Sequence, residues 1–329
     1  MPWVGDDSAA ALVDLYEITM AAAYVADGSA ARPATFELSV RSLPEERNFL
    51  IAAGLDDALS YLERLRFTAD ALDYLRALGG FSEEFLGVLG SLRFEGEVWA
   101  VPEGSAVFGG EPLVRVTAPL LQAQIVETFL LNAVGFQTMI ASKAARVTLA
   151  AGGRTFADFG ARRSHAGDAA LKGARACFIG GAAATSLVLA GMEYGIPVTG
   201  TMAHSYVLSH PDEYSAFATF ARVFPDGAAL LIDTFDTVAG ARIAAQVAAD
   251  LAPEGIDIRS VRLDSGDLGS LAREGRSILD DSGLTEVRIL ASGGLDERKI
   301  AALVEADAPI DGFGVGTAMT TSDDAPSLD

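Results

Sequence analysis

From Thr155 to Val315 the chain repeats one rhythm: a short apolar run, a polar or glycine-rich word, then a helical stretch. The runs expected as strands are Thr155–Phe159, Cys177–Ile179, Ile196–Gly200, Ala229–Asp233, Ser260–Leu263, Val287–Ala291 and Asp311–Val315. Strands that alternate with helices pair in parallel, because each helix is the crossover returning the chain to the same end of the sheet. In such sheets the loops at the C-terminal strand ends build the active site. Those ends read Gly160-Ala-Arg-Arg163, Gly180-Gly181, Thr201 to His204, Asp233-Thr-Phe-Asp236, Asp264-Ser-Gly-Asp267, Ser292-Gly-Gly294 and Gly316-Thr317.

The first half has another texture. Ala9 to Tyr24 has apolar residues at helical spacing, with Tyr16 on or beside the apolar face; Thr35 to Val40 reads as a strand, and Gly54–Leu65 and Ala69–Leu78 as helices. From Phe94 to Val116, glycines and prolines punctuate short runs, the mark of a small antiparallel sheet. Leu120 to Leu149 is helical throughout and free of proline. The expected organisation is an α+β domain over 1–119, a bridging helix over 120–150, and a parallel α/β domain over 151–329.

A formal charge of −21 argues against nucleic acid as a partner, since phosphate backbones need a basic face. Lysines occur only at 143, 172 and 299, and no Gly-x-x-x-x-Gly-Lys-Ser/Thr can be written, so anions must be held by arginine, backbone N–H groups or a metal ion. The single cysteine, Cys177, excludes an internal disulfide and suits a reducing compartment; with no signal-like N-terminus and no apolar stretch long enough to span a bilayer, a cytoplasmic protein without membrane contact is expected.

At the strand ends each candidate has two readings. His204, one of three histidines, is either a reactive group or a hydrogen-bonded rim residue. Arg162 and Arg163 form either a fork for phosphate oxygens or a solvated pair. Gly293-Gly294 and Gly316-Thr317, with Thr321 beyond, let backbone N–H groups approach a phosphate, or are tight turns. Asp264 and Asp267 are hard oxygen ligands suited to Mg2+; the alternatives are pairing of Asp264 with Arg262 and helix capping by Asp267. Arg262 points either into the sheet's enclosed side, where burial without an anion would be costly, or toward the helices. Gly312-x-Gly314-x-Gly316 lies within a strand and lacks the βαβ context of a dinucleotide fingerprint.

Seven words in order, Asp14-Leu-Tyr-Glu-Ile-Thr-Met20, Glu127-Thr-Phe-Leu-Leu-Asn132, Asp158-Phe-Gly-Ala-Arg-Arg163, Phe178-Ile-Gly-Gly181, Gly200 to Ser205, Arg262-Leu-Asp-Ser-Gly-Asp-Leu268 and Gly314-Val-Gly-Thr317, resemble the nicotinate phosphoribosyltransferase family. The resemblance implies an α/β fold, an incomplete seven-stranded parallel α/β barrel beside an α+β N-terminal domain, in a chain that stops earlier than its relatives. It also implies formation of nicotinate mononucleotide and pyrophosphate from nicotinate and 5-phosphoribosyl pyrophosphate, with Mg2+, coupled to ATP hydrolysis through phosphorylation of His204, in a homodimer. Under it Tyr16, Thr201 and Arg262 hold nicotinate, and Arg162, Arg163, Gly293, Gly294, Gly316, Thr317 and Thr321 hold phosphoribosyl pyrophosphate, with Asp264 and Asp267 near the metal. A nicotinamide or quinolinate enzyme and an inactive paralogue are the alternatives; the Gly200 to Ser205 word speaks against quinolinate.

Overall fold

A computed structural model describes residues 4–43, 47–321 and, for the backbone, 327–328. Two compact units emerge: one takes the chain as far as Ser142 together with its last residues, and the other begins at Lys143.

The first unit runs α1 (Leu15–Ala26), β1 (Pro33–Ser42), β2 (Leu50–Ile51), α2 (Leu55–Arg64), α3 (Ala69–Leu78), α4 (Glu83–Ser91), β3 (Glu97–Ala100), β4 (Ala106–Val107), β5 (Pro112–Pro119), α5 (Leu120–Ile125) and the start of α6 (Glu127–Ala150). Its main sheet is antiparallel, β1 pairing β5 from Pro33↔Pro119 to Ser39↔Pro112 and β5 pairing β3. The backbone of Ser327–Leu328 adds an edge strand to β1 that sequence reading assigned to the barrel. The expected long helix is broken at Val126 into α5 and α6, and the units divide within α6.

Helix α1 starts at Leu15, after a separate 3-10 turn over Ala9–Ala11, and buries Glu17, Ile18 and Ala21. Tyr16 and Leu15 are exposed, at 47% and 54%, so the apolar-face placement of Tyr16 is corrected. The inward residue is Glu17, a carboxylate whose partner comes from a distant helix: the Thr128 backbone N–H donates to its Oε1 at 3.2 Å.

The second unit continues with β6 (Thr155–Asp158), α7 (Gly167–Ile179), β7 (Ala184–Thr185), α8 (Val188–Tyr194), α9 (His204–Leu208), α10 (Glu213–Val223), β8 (Ala228–Leu231), α11 (Thr237–Leu251), β9 (Ile258–Leu263), α12 (Leu268–Asp281), β10 (Arg288–Ala291), α13 (Glu297–Glu305), β11 (Gly312–Val315) and α14 (Thr317–Thr320). Six strands form a parallel half-barrel in the order β7-β6-β11-β10-β9-β8, and β8 and β11 are buried at every residue, as expected of a sheet covered on both faces.

Five of the expected strands stand in this sheet. Cys177–Ile179 is instead the last turn of α7, whose Ala170, Ala174 and Cys177 recur at helical spacing and are buried; the strand follows at Ala184–Thr185, too short and too polar to show a pattern. Ile196–Gly200 is reduced to one parallel bridge, Val198 to Thr185, with Thr199 N–H donating to Thr185 O at 2.9 Å. Pro197 has no N–H to give.

Four successive barrel helices open on an aspartate cap. Asp212, Asp236, Asp267 and Asp296 each accept the N–H three residues on, which satisfies a helix-end donor and sets a negative charge at the positive end of the helix dipole. Behind α13, Glu297 is buried between Lys143, at 2.7 Å, and Arg146, at 3.1 Å.

Burial, reinforced by Glu127 and Asp14, raises the Glu17 carboxyl pKa from 4.5 to about 7 against the opposing Thr128 hydrogen bond. A carboxyl pKa raised on folding lowers stability as pH climbs from the unfolded value to the folded one. Glu17→Gln should therefore match the parent protein in urea unfolding at pH 4 and exceed it at pH 8, by up to roughly 3 kcal/mol. An equal difference at both pH values would show that Glu17 does not titrate in this window.

Candidate active site

Most of the strand-end words meet; Gly180-Gly181 does not, because it closes helix α7 and leads into β7. β9 pairs in register with both β8 and β10, and β11 with both β10 and β6, so residues just past their C-termini share one rim. Asp233, just past β8, accepts from the Asp264 backbone N–H at 2.9 Å and from the Ser265 hydroxyl at 2.5 Å through one oxygen, Oδ2. Its other oxygen is buried without a partner among the described residues.

Asp264 is held from both sides. Its Oδ1 accepts from the Ser292 hydroxyl at 2.5 Å, and its Oδ2 lies 3.8 Å from His204 Nε2. The opposite ring nitrogen, Nδ1, is 3.1 Å from the Thr234 hydroxyl. His204, the first residue of α9, is thus fixed between the ends of β8 and β9 with 41% of its side chain exposed. Of the other histidines, His210 binds the Tyr206 carbonyl at 2.9 Å, away from these groups.

Arg262 points to the enclosed side. Its Nη2 donates to the Met202 carbonyl at 3.2 Å, which ties β9 to the segment before His204. Burial pulls the guanidinium pKa down, Asp264 and Asp233 oppose that, and Arg162 adds to it. Arg262 Nε is buried and has no partner among the described residues. Desolvated and incompletely paired, it is a cation poised for an anion.

Arg162 and Arg163 end a 3-10 turn after β6 and are exposed, with no ion-pair partner among the described residues. Buried Asp158 shapes that turn, accepting from Gly160 N–H at 2.8 Å and from the Thr185 hydroxyl at 2.9 Å; burial raises its pKa. Thr320 packs onto Gly160 so closely that a Cβ there would come within 2.4 Å of its methyl, so the arginine turn abuts the turn containing Gly316, Thr317 and Thr321. In that turn the Thr321 hydroxyl donates to Thr317 O at 2.7 Å.

Gly293 and Gly294 both have positive φ, 92° and 61°. A Cβ on Gly293 would fall 1.7 Å from the Asp264 carbonyl oxygen, so this loop is pressed against the β9 end. The Gly294 carbonyl is held by Lys299 Nζ at 2.6 Å, which puts an ammonium beside the glycine pair.

Of the remaining expected residues, Asp267 and Tyr16 are engaged in bonds of their own, whereas the Thr201 hydroxyl donates, at 3.2 Å, to the Met202 carbonyl that Arg262 also binds. Asp267 accepts from Ser270 N–H at 3.3 Å and from its hydroxyl at 2.8 Å as the cap of α12, and these bonds hold its pKa below the ordinary value. Thr201 lines a cleft of about 500 Å3 with Gly200, Phe220, Phe224 and Gly227. Tyr16, in the other unit, donates from its hydroxyl to Glu127 Oε1 at 2.7 Å. Sequence reasoning gave no role to Asp233, Thr234, Ser292 or Lys299, although the first three stand in its strand-end words, and that position was the available signal.

A model of the nicotinate phosphoribosyltransferase N-terminal domain matches residues 12–135, and a model of the nicotinate phosphoribosyltransferase family matches residues 154–325. The chain belongs to this family. Among its relatives, the nicotinate phosphoribosyltransferase pncB2 of Mycobacterium tuberculosis is 51% identical over 97% of this chain and 68% of its own length. The nicotinate phosphoribosyltransferase of Bacillus subtilis is 44% identical over 98% of this chain and 66% of its own length. The crystal structure of human nicotinic acid phosphoribosyltransferase superposes with a TM-score of 0.85 at 30% identity, covering 96% of this chain and 73% of that one.

The glycine pair offers a direct test of the rim's geometry. Gly294→Ala meets open space, its nearest neighbour being Lys299 Nζ at 3.8 Å, and should cost only the left-handed backbone penalty of about 1 kcal/mol. Gly293→Ala must also displace the Asp264 carbonyl and should cost about 1–3 kcal/mol more. Urea unfolding of both variants would show the order; equal costs would mean that the two loops are not in contact.

Proposed function

We propose that the chain transfers the 5-phosphoribosyl group of 5-phosphoribosyl pyrophosphate to the ring nitrogen of nicotinate, giving nicotinate mononucleotide and pyrophosphate. The observation that carries this reading is Arg262, half-buried, with its Nε sealed and without a partner among the described residues, and surrounded by strand-end side chains that converge on one rim. Its guanidinium would pair with the nicotinate carboxylate, with Thr201 nearby and the Tyr16 ring as a stacking platform. A homodimer in which Tyr16 comes from one chain and the barrel residues from the other is part of the proposal.

The donor would be held through its phosphates by Arg162 and Arg163, by backbone N–H groups of Gly316 and Thr317 with the Thr321 hydroxyl, and by Gly293 and Gly294, where Lys299 adds positive charge. In the transfer, the pyridine nitrogen lone pair forms the new bond to the anomeric carbon while that carbon's bond to pyrophosphate oxygen breaks and its electrons leave with the pyrophosphate. Positive charge develops on the ribose and negative charge on the departing group, so fixed arginines lower the barrier by positioning and by charge neutralisation.

No group of three His, Cys, Asp or Glu side chains among the described residues is arranged to hold a metal ion. That donor set fits a Mg2+ that keeps water and substrate phosphate in its shell, with Asp264, and Asp233 through its unpartnered oxygen, as the carboxylates that would hold it and Asp267 as a water-mediated anchor across the loop. Such an ion would neutralise pyrophosphate charge.

ATP coupling would pass through His204. With Nδ1–H donating to the Thr234 hydroxyl, Nε2 keeps its lone pair and can attack the γ-phosphorus, ADP leaving as a phosphohistidine forms. Incubation with γ-labelled ATP and Mg2+ should give one acid-labile, base-stable label that His204→Ala abolishes and that His165→Ala and His210→Ala retain. A label that survives His204→Ala would remove this role.

Arg262→Ala should weaken nicotinate binding by calorimetry at least tenfold, and Arg262→Lys should not restore it, since an ammonium cannot reproduce a bidentate fork. Unchanged affinity in Arg262→Ala would assign the carboxylate to another residue.

A further inference from the structure

The first unit contains a side-chain arrangement that ties down an exposed aromatic ring. Tyr16 sits in the first turn of α1 with nearly half its surface open, a position where a tyrosine ordinarily moves between rotamers. Here both ends are tied. The backbone end is fastened to the start of α6: the Asp14 N–H donates to the Thr128 hydroxyl at 3.3 Å, that hydroxyl lies 2.9 Å from Asp14 Oδ2 and closer still to Glu17 Oε1, and the Thr128 N–H donates to Glu17. The hydroxyl end donates to Glu127 Oε1 at 2.7 Å, while Glu127 Oε2 accepts from the side chain of buried Gln124 at 2.6 Å.

Glu127 is held by its surroundings in this role. It is the first residue of α6, where the helix dipole favours a carboxylate, and the Gln124 amide satisfies its second oxygen. Donation of the phenol proton to a carboxylate leaves the ring electron-rich, the state that stacks best on an electron-poor aromatic such as a pyridine carboxylate. The same carboxylate raises the Tyr16 pKa, which keeps the phenol protonated.

We infer that Glu127 is a positioning residue for the acceptor: through the Tyr16 hydroxyl it holds the ring in one orientation as a preformed platform for the flat face of the pyridine ring. This rests on the proposed role of Tyr16 in nicotinate binding. A charge-assisted bond that only orders the platform acts on acceptor binding and leaves the chemical step alone, so its loss should appear in the nicotinate KM.

The test is steady-state kinetics at saturating 5-phosphoribosyl pyrophosphate for Glu127→Ala, Glu127→Gln, Tyr16→Phe, Tyr16→Ala and the double variant Glu127→Ala/Tyr16→Phe, with melting temperatures for each. Glu127→Ala and Tyr16→Phe should raise the nicotinate KM by the same factor, roughly three- to tenfold, with kcat kept. The double variant should be no worse than either alone, and Glu127→Gln, whose amide oxygen still accepts the phenol proton, should stay within about twofold of the parent. A Tyr16→Ala variant with a strongly raised nicotinate KM beside a Glu127→Ala variant with an unchanged one would overturn the positioning role and leave the platform intact. An unchanged KM in Tyr16→Ala would overturn the platform and, with it, this inference. Multiplicative effects in the double variant, or a fall in kcat that tracks a lowered melting temperature, would assign Glu127 to fold maintenance.

Discussion

Asp233 is the tie on which the barrel rim depends. One oxygen accepts both the backbone N–H of Asp264 and the hydroxyl of Ser265, which locks the exit of β9 to the exit of β8. The rest follows outward: Asp264, so placed, takes the Ser292 hydroxyl from β10, Gly293 closes against its carbonyl, and His204 settles between Thr234 and Asp264. Three neighbouring strand ends are thus coupled through one half-buried carboxylate.

The fold was legible where strands were long and apolar. The apolar runs containing Val261 and Leu263, Ile289 and Ala291, and Phe313 and Val315 announced their strands, and in the structure each pair is buried on one face of its strand. It failed where hydropathy and geometry part company. The alanine-rich end of α7 has the apolar density of a buried strand, and the two-residue β7 has almost none. In α1 an acid, Glu17, shares the inward face with Ile18 and Ala21, so an apolar-face argument put that face on the side of Tyr16, which is exposed. The site words were found because polar residues after apolar strands are conspicuous. What they do was less legible: Asp264 and Asp267 look alike in sequence, yet one faces His204 and the other caps α12, a difference set by a serine three residues on.

The charge distribution has an economical physical reading. A chain with a formal charge of −21 and 24 basic residues places acids where a backbone donor or a cation already waits, at helix starts and in the Lys143–Glu297–Arg146 group. Arg162 and Arg163 are left without such partners among the described residues, and Arg262 is left half-paired. Three arginines with charge not neutralised by an ion pair among the described residues thus stand near the C-terminal ends of β6 and β9, which adds positive potential to that rim of an acidic protein.

The single bridge between Val198 and Thr185 has a dynamic consequence. Strands β8 to β11 are interlocked by several parallel pairings each and can release their amide protons only through large-scale opening, whereas the segment from Ile196 to Ala203 is tied to the sheet by one bridge and by the carbonyl that Arg262 grips. Local opening there frees the backbone leading into His204 without disturbing the core. Among the described barrel segments that approach His204, this one is held by the fewest backbone pairings.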